Sequence, residues 1–248
     1  NPFLIYGRAA RSGSTCNCSY CNGPGDNLGN ETVCSFSGIS SPQTTLDYTT
    51  PTWSLKSFNF DGSNNIFNGD IAASTNVNNT IVGTNKQFTI ALRVRRMSTG
   101  ATQVLFCRDN LTTLIRQFNI AFLSTNKLQV QFCTNNTNYI YYLSTATFTE
   151  TREWNDFIIV YDGTQSATSR ITVYRNKQAV PGTTTQVGAF TTINNTTANN
   201  IQIGGRSAPA NYSNSHINQV TLFNTNLSTA SIALLDNDRV PFDVRTNC

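Results

Sequence analysis

The residues best equipped for chemistry in this sequence are its cysteines. Cys16-Asn-Cys18-Ser-Tyr-Cys21 and Cys34 put four thiols near the start. Leu105-Phe106-Cys107 and Gln131-Phe132-Cys133 put two more in matching contexts, and Cys248 ends the chain. Four thiolates can hold Zn²⁺ tetrahedrally, but Cys-x-Cys is not the usual knuckle spacing and no histidine lies nearby. Disulfides are therefore the expected use, with zinc and a reactive thiol as alternatives. The matching contexts suggest a bridge between Cys107 and Cys133, and the pairing of the other five stays open. Seven is an odd number, which leaves one thiol unbridged or bonded to another chain.

Other side chains offer less. His216 is the only histidine, and nothing around it resembles a nucleophile elbow, so a structural or exposed role is expected. Asp61, Asp70, Asp109 and Asp162 lie at turn-like positions with Asn neighbours. Such oxygens suit Ca²⁺, but local turn hydrogen bonding is the favoured reading and no cofactor is expected. Tyr139, Tyr141 and Tyr142 cluster, and Tyr212 sits in a polar stretch. Sugars stack their C–H faces on such rings; Tyr139 and Tyr141 would share one strand face, with Tyr142 on the other.

Asn-x-Ser/Thr sequons occur at Asn17, Asn30, Asn78, Asn110, Asn135, Asn194, Asn195, Asn211 and Asn226. With 32 Asn and 57 Ser plus Thr, chance alone supplies about seven of them. The sequons therefore do not by themselves mark a glycoprotein. Asn110, Asn135, Asn194, Asn211 and Asn226 are the candidates for a glycosylating host.

Charged residues are only 12% of the 248, and the net charge is +4. A surface of neutral hydrogen-bonding groups suits a secreted, cell-surface or virion protein. Arg93-Val-Arg95-Arg96 is the one basic cluster, read as a solvated strand face or turn, so no nucleic-acid partner is expected. No apolar run reaches the ~18 residues that span a bilayer. The sequence starts at Asn1, and an upstream signal or membrane anchor stays compatible with it.

The elements that must position these groups are short strands. Residues 1–50 form an irregular Cys-rich arm without periodic apolar pattern, and the boundary falls near Pro51. Beyond it, β-type runs recur between polar turns: Lys56–Phe60, Gln87–Val94, Val104–Cys107, Phe118–Leu123, Leu128–Cys133, Tyr139–Leu143, Trp154–Tyr161, Arg170–Arg175, Asn200–Ile203 and Ile217–Phe223. The spacing predicts an all-β antiparallel sandwich or barrel. Trp154–Val180 reads as a central hairpin whose first strand is apolar on both faces. Ser228 caps one expected helix, Thr229–Asn237, and the Asn/Thr-rich stretches 64–80 and 191–200 read as long binding or assembly loops.

Several short patterns, in order, resemble the laminin-G-like branch of the concanavalin-A-like lectin/glucanase superfamily. They are Phe58-Asn-Phe60-Asp61-Gly62, Phe88-Thr-Ile90-Ala-Leu92, Trp154-Asn155 through Asp162-Gly163, Val173-Tyr174-Arg175-Asn176, Ile201-Gln-Ile203-Gly204-Gly205, Ile217-Asn-Gln-Val220, and Leu227-Ser228 with Ile232 and Leu235. The resemblance implies a jelly-roll β-sandwich over 51–248, closed by a short C-terminal helix. It departs where Asn218 and Gln219 replace acids often found in the closing strand, and where Lys177 follows Asn176 in place of a common Gly.

The fold implied hosts adhesion modules, lectins, glycosidases and structural surface domains. Glycoside hydrolysis needs two carboxyl groups flanking the bond. The chain has only Glu31, Glu150 and Glu153 as glutamates, and Glu150-Thr-Arg-Glu153 has the wrong spacing for one strand face. The expectation is therefore no enzyme. It is a structural or adhesion module of an extracellular or virion-surface assembly, such as a minor capsid or fibre component, with other proteins as partners. The alternatives are a glycan-binding lectin and, behind it, a glycoside hydrolase.

Overall fold

The computed structural model describes residues 57–69, 71–110, 115–196, 200–207 and 210–235, together with two short strands, β1 (Phe3–Leu4) and β2 (Thr45–Leu46). Cys16, Cys18, Cys21, Cys34, Cys248, Asp70, Asn17 and Asn30 lie outside the described residues.

Two antiparallel sheets face each other. The first runs in the order β12 (Gln178–Ala179), β11 (Ile171–Arg175), β10 (Trp154–Asp162), β5 (Gln87–Arg96), β17 (Asn214–Phe223), β3 (Phe58–Asp61) and β2, with β1 also paired to β17. The second runs β13 (Gly182–Val187), β9 (Tyr139–Thr147), β8 (Lys127–Cys133), β7 (Ile115–Phe122), β6 (Gln103–Asn110), β14 (Gln202–Ile203) and β4 (Phe67–Asn68). A separate hairpin, β15 (Gly205–Ser207) and β16 (Ala210–Tyr212), follows β14. This is the expected jelly-roll sandwich.

Alternation along the strands builds the core between the sheets. Phe88, Ile90, Leu92 and Val94 of β5 point inward, as do Phe157, Ile159 and Tyr161 of β10. Phe118, Ile120 and Phe122 of β7 meet them with Leu128, Val130 and Phe132 of β8. The sheets are stitched by aromatic contacts: Phe88 stacks on Tyr161 at 4.8 Å and meets Phe132 edge-on at 5.4 Å. The Trp154–Val180 hairpin forms as expected, with Ile159 opposite Val173, and its outward Ile158 is buried as well.

Four expectations need correction. The stretch 64–80 is not a loop throughout, because α1 (Ile71–Ile81) occupies much of it. Val77 and Ile81, four residues apart on one helical face, are its buried anchors. The C-terminal helix α2 (Thr229–Leu234) starts at the expected cap, with Ser228 Oγ accepting from the Ser231 N–H at 3.1 Å, but stops before Asn237. Leu235 leaves helical geometry with ψ 123°.

Third, Cys107 and Cys133 are unbridged thiols. They lie on β6 and β8 with β7 between them, and Cys107 is level with Asn119 and Gln131, two residues from Cys133. Two strand spacings separate them by ~9.5 Å, beyond the reach of a disulfide. Fourth, the three arginines of 93–96 are buried, not solvated. Arg93 and Arg95 flank the Trp154 ring at 5.8 and 5.4 Å, and Arg93 Nε lies 3.7 Å from Asp156. Arg96 turns inward, donating to the Phe148 carbonyl and to Asn126 Oδ1 over the Phe122 ring. Burial lowers its pKa to about 10, against an upward pull from Glu150.

Candidate functional site

Because strand pairing aligns side chains across a sheet, one row of residues crosses the outward face of the second sheet. It reads Asn68, Gln202, Cys107, Asn119, Gln131, Tyr141 and Thr185, each opposite the next. Amides dominate it. Gln202 Nε2 donates to Asn68 Oδ1 at 3.0 Å, and the Cys107 thiol lies 3.9 Å from Gln202 Oε1. Tyr139 is two residues along β9 from Tyr141 on the same face, with ring centroids 6.1 Å apart. The pairing of these two tyrosines on one face, with Tyr142 buried on the other, follows the sequence expectation.

A charged cluster adjoins the row. The register slips where Arg108 pairs Phe118 but Asp109 pairs Arg116, so Gln117 is an extra residue. Such a bulge re-aims the side chains around it. Gln117 turns inward, donating to Asn78 Oδ1 at 2.6 Å and to the Asn194 carbonyl, beside the buried Arg108. Arg116 turns outward to Asp109, Nε to Oδ1 at 3.0 Å. Its Nη2 donates to Gln131 Oε1 at 2.7 Å, and its guanidinium lies 5.7 Å from the Tyr139 ring centre. From the β15–β16 hairpin, Arg206 donates to the other Asp109 oxygen at 2.9 Å. One buried carboxylate thus holds two guanidiniums by charge-assisted bonds.

Arg116 was not legible as a site residue, since only the bulge brings it to this face. The buried Cys107 thiol is pushed up by burial first and by the Asp109 charge second. Burial likewise pushes Cys133 up to about 12. Neither thiol is positioned as a nucleophile.

The remaining sequence candidates are dispersed. Asp61 accepts from the Ser63 N–H at 2.8 Å, an Asx turn. Asp162 accepts from Gln87, Thr164, Gln165 and Asn226 side chains. Asp109 is committed to arginines, and the candidate calcium ligands among the described residues, Asp61, Asp109 and Asp162, are not gathered. Among the described residues no three His, Cys, Asp or Glu converge on a metal position. His216 is buried 6.5 Å from the Trp154 ring centre.

Glu150 and Glu153 lie in the loop between β9 and β10, where Glu150 pairs with Arg175 at 3.2 Å. Tyr212 is opposite Gly205 in the hairpin that packs on β6, so β7 and β8 separate it from the Tyr139–Tyr141 pair. Of the glycosylation candidates, Asn194 Nδ2 donates to the Arg116 carbonyl and Asn226 Nδ2 to Asp162. Exposed Asn135 uses only its Oδ1, accepting from Thr137 and Asn138, and Asn211 is half-buried on β16. Asn110 ends β6.

Solved structures share the architecture. A botulinum neurotoxin type C structure, described as dependent for cell entry on two ganglioside molecules, superposes with TM-score 0.52 at 14% identity, covering 78% of this chain and 44% of that one. The binding domain of botulinum neurotoxin DC in complex with rat synaptotagmin II gives 0.52 at 15%, with coverage of 78% and 44%. The Ruminococcus gnavus IT-sialidase CBM40 bound to alpha2,3 sialyllactose gives 0.51 at 15%, covering 72% of this chain and 95% of that one. The chain thus spans less than half of the toxin chains it matches, and at these identities the likeness is one of fold. No curated protein matches the sequence. A laminin-G family model matches residues 67–233, and with the sandwich just described it places this chain in the concanavalin A-like lectin/glucanases superfamily.

Proposed function

We propose that the chain is a non-enzymatic adhesion module of an extracellular or particle-surface protein, and that it binds carbohydrate on the outward face of the second sheet. The observation that carries this reading is the half-buried Tyr139–Tyr141 pair, with Tyr141 opposite Gln131 in the amide row. Amides offer both donors and acceptors to hydroxyls, and tyrosine rings offer stacking faces. The relatives with bound sialyllactose or ganglioside dependence support the same use of the fold. Asp109 is the only acid in the seven strands of this sheet, and it is tied to two arginines. That favours binding over hydrolysis, which needs two carboxyl groups across the bond.

A glycan array of the purified chain tests the proposal. Binding to a defined subset is expected, weakened about tenfold by Tyr141→Ala through loss of one stacking contact. Absence of binding to every saccharide would sink it.

A second reading, as a structural component of a cell-surface or virion assembly with protein partners, rests on β13. It is an edge strand with exposed Gly182, Thr183 and Gln186. An open edge can pair with a further strand. Self-association in sedimentation velocity, without glycan binding, would favour this reading.

A further inference from the structure

Two open sheets have four edges, and three of them are short here. Among the described residues β12, β2 and β4 are edge strands of two residues each. The fourth edge, β13, has six residues and pairs with β9 residue for residue, without a bulge. Edge strands are normally blunted by charge, by proline on the open side or by a bulge. Gly182-Thr-Thr-Thr-Gln-Val187 carries no charge. Pro181 precedes it, but the Pro181 carbonyl accepts from the Thr145 N–H at 2.8 Å, so that residue faces β9 and not the open side.

The same bond fixes which groups of β13 face outward. In an antiparallel ladder, pairs that exchange hydrogen bonds alternate with pairs that do not. Pro181 and Thr145 are a bonded pair, so Thr183, Thr185 and Val187 also bond to β9. Gly182, Thr184 and Gln186 then point their N–H and C=O groups away from it, and no strand among the described residues lies on that side. Gly182, Thr183 and Gln186 are exposed and Thr185 is half-buried, while Thr184 turns its side chain inward and donates from Oγ1 to the Ile171 carbonyl at 3.4 Å.

The open edge is complementary to itself. A second β13, antiparallel and centred on Thr184, sets Thr184 opposite its own copy and Gly182 opposite Gln186. All the outward-facing residues then form bonded pairs, each exchanging two hydrogen bonds. Thr183 falls opposite Thr185 on the outward face, a favourable cross-strand pair, and no like charges meet. We propose that two copies of this chain pair through β13 about a two-fold axis at Thr184, joining their second sheets edge to edge. The pairing rests on the open edge of the assembly reading and names its partner. A two-fold axis of this kind is perpendicular to the sheet, so both outward faces stay on one side. Because Tyr141 lies opposite Thr185, three strand spacings and a two-residue offset put the two Tyr139–Tyr141 pairs roughly 16 Å apart. The dimer thus presents two of the proposed saccharide platforms side by side.

The test is sedimentation equilibrium of the whole chain without saccharide, joined to residue-resolved amide exchange by NMR at low and high concentration. A strand pair is a small interface, so a monomer–dimer equilibrium between about 10 µM and 1 mM is expected. Exchange at Gly182, Thr184 and Gln186 should slow as dimer forms, while Thr183, Thr185 and Val187, already bonded to β9, stay unchanged. Thr183→Lys with Thr185→Lys sets lysines opposite each other across the axis and should weaken the dimer about tenfold. Thr183→Lys with Thr185→Glu sets lysine against glutamate and should restore it, less so as salt is raised. Thermal melts confirm that both variants fold. Should either unfold, the exchange pattern of the unmodified chain decides. A chain that stays monomeric to about 1 mM would overturn the pairing. Dimers without that alternation in exchange would overturn it as well, while leaving the assembly reading standing. The carbohydrate reading is decided separately, by the array.

Discussion

Asp109 is the residue on which the candidate site depends. Its side chain is 1% exposed and accepts from Arg116 and Arg206. Removing the charge takes from two desolvated guanidiniums the carboxylate they share, so Asp109→Asn should cost about 3 kcal/mol in urea unfolding. Asp162 gives a pH dependence. Burial pulls its carboxyl upward, but hydrogen bonds from Thr164, Gln87 and Gln165 outweigh this and hold it at about 2, below the ordinary 3.8. A depressed folded pKa means the contribution is complete above the unfolded value and is lost as pH falls through the folded one. Melting temperature should therefore decline across the window from 3.8 to about 2, and the decline should be shallower in Asp162→Asn. Cys107 and Cys133 are buried and unbridged. Alkylation followed by peptide mapping should leave both unlabelled in the native chain and label both in denaturant without reductant. Labelling only after reduction would mean a bridge. At this scale the tyrosine pair was legible, because period-two alternation needs only the sequence. Arg116 was not, since a one-residue register slip at Gln117 decides its side.

Strands were the most readable elements. Ten apolar runs in the sequence correspond to strands of the two sheets, because apolar alternation is what a sandwich demands. The Thr-rich β13 escaped, since Gly182–Val187 carries no apolar alternation and is defined by its pairing to β9. Helix α1 escaped because Asn and Thr mask two apolar anchors, Val77 and Ile81. Its Asn78 accepts from Arg108 and Gln117 in a buried network that no local pattern announces. The join after β14 shows how closely the elements meet. Gly204 has φ +79°, and a Cβ there would lie 2.0 Å from the Phe60 ring. Left-handed backbone and core overlap act together, so Gly204→Ala should cost roughly 3 kcal/mol by chemical denaturation. A cost under about 1 kcal/mol would show that the turn can relax.

At the scale of the molecule, the sandwich is shared with the glycan-bound and receptor-bound structures that it resembles, while side chains on its faces are this chain's own. The fold was legible because it rests on many weak, consistent signals. The site was only partly so, since it depends on register, a bulge and a hairpin folded over β6. Among the described residues no helix is long and apolar enough to cross a membrane. The outward face of the second sheet is the proposed place of saccharide binding. Backbone amide hydrogen exchange with and without a saturating saccharide from the array tests it most directly. Slowed exchange over 129–133 and 139–143, with the 164–169 turn unchanged, is expected. Protection confined to loops such as 164–169, with the amide row unaffected, would contradict it.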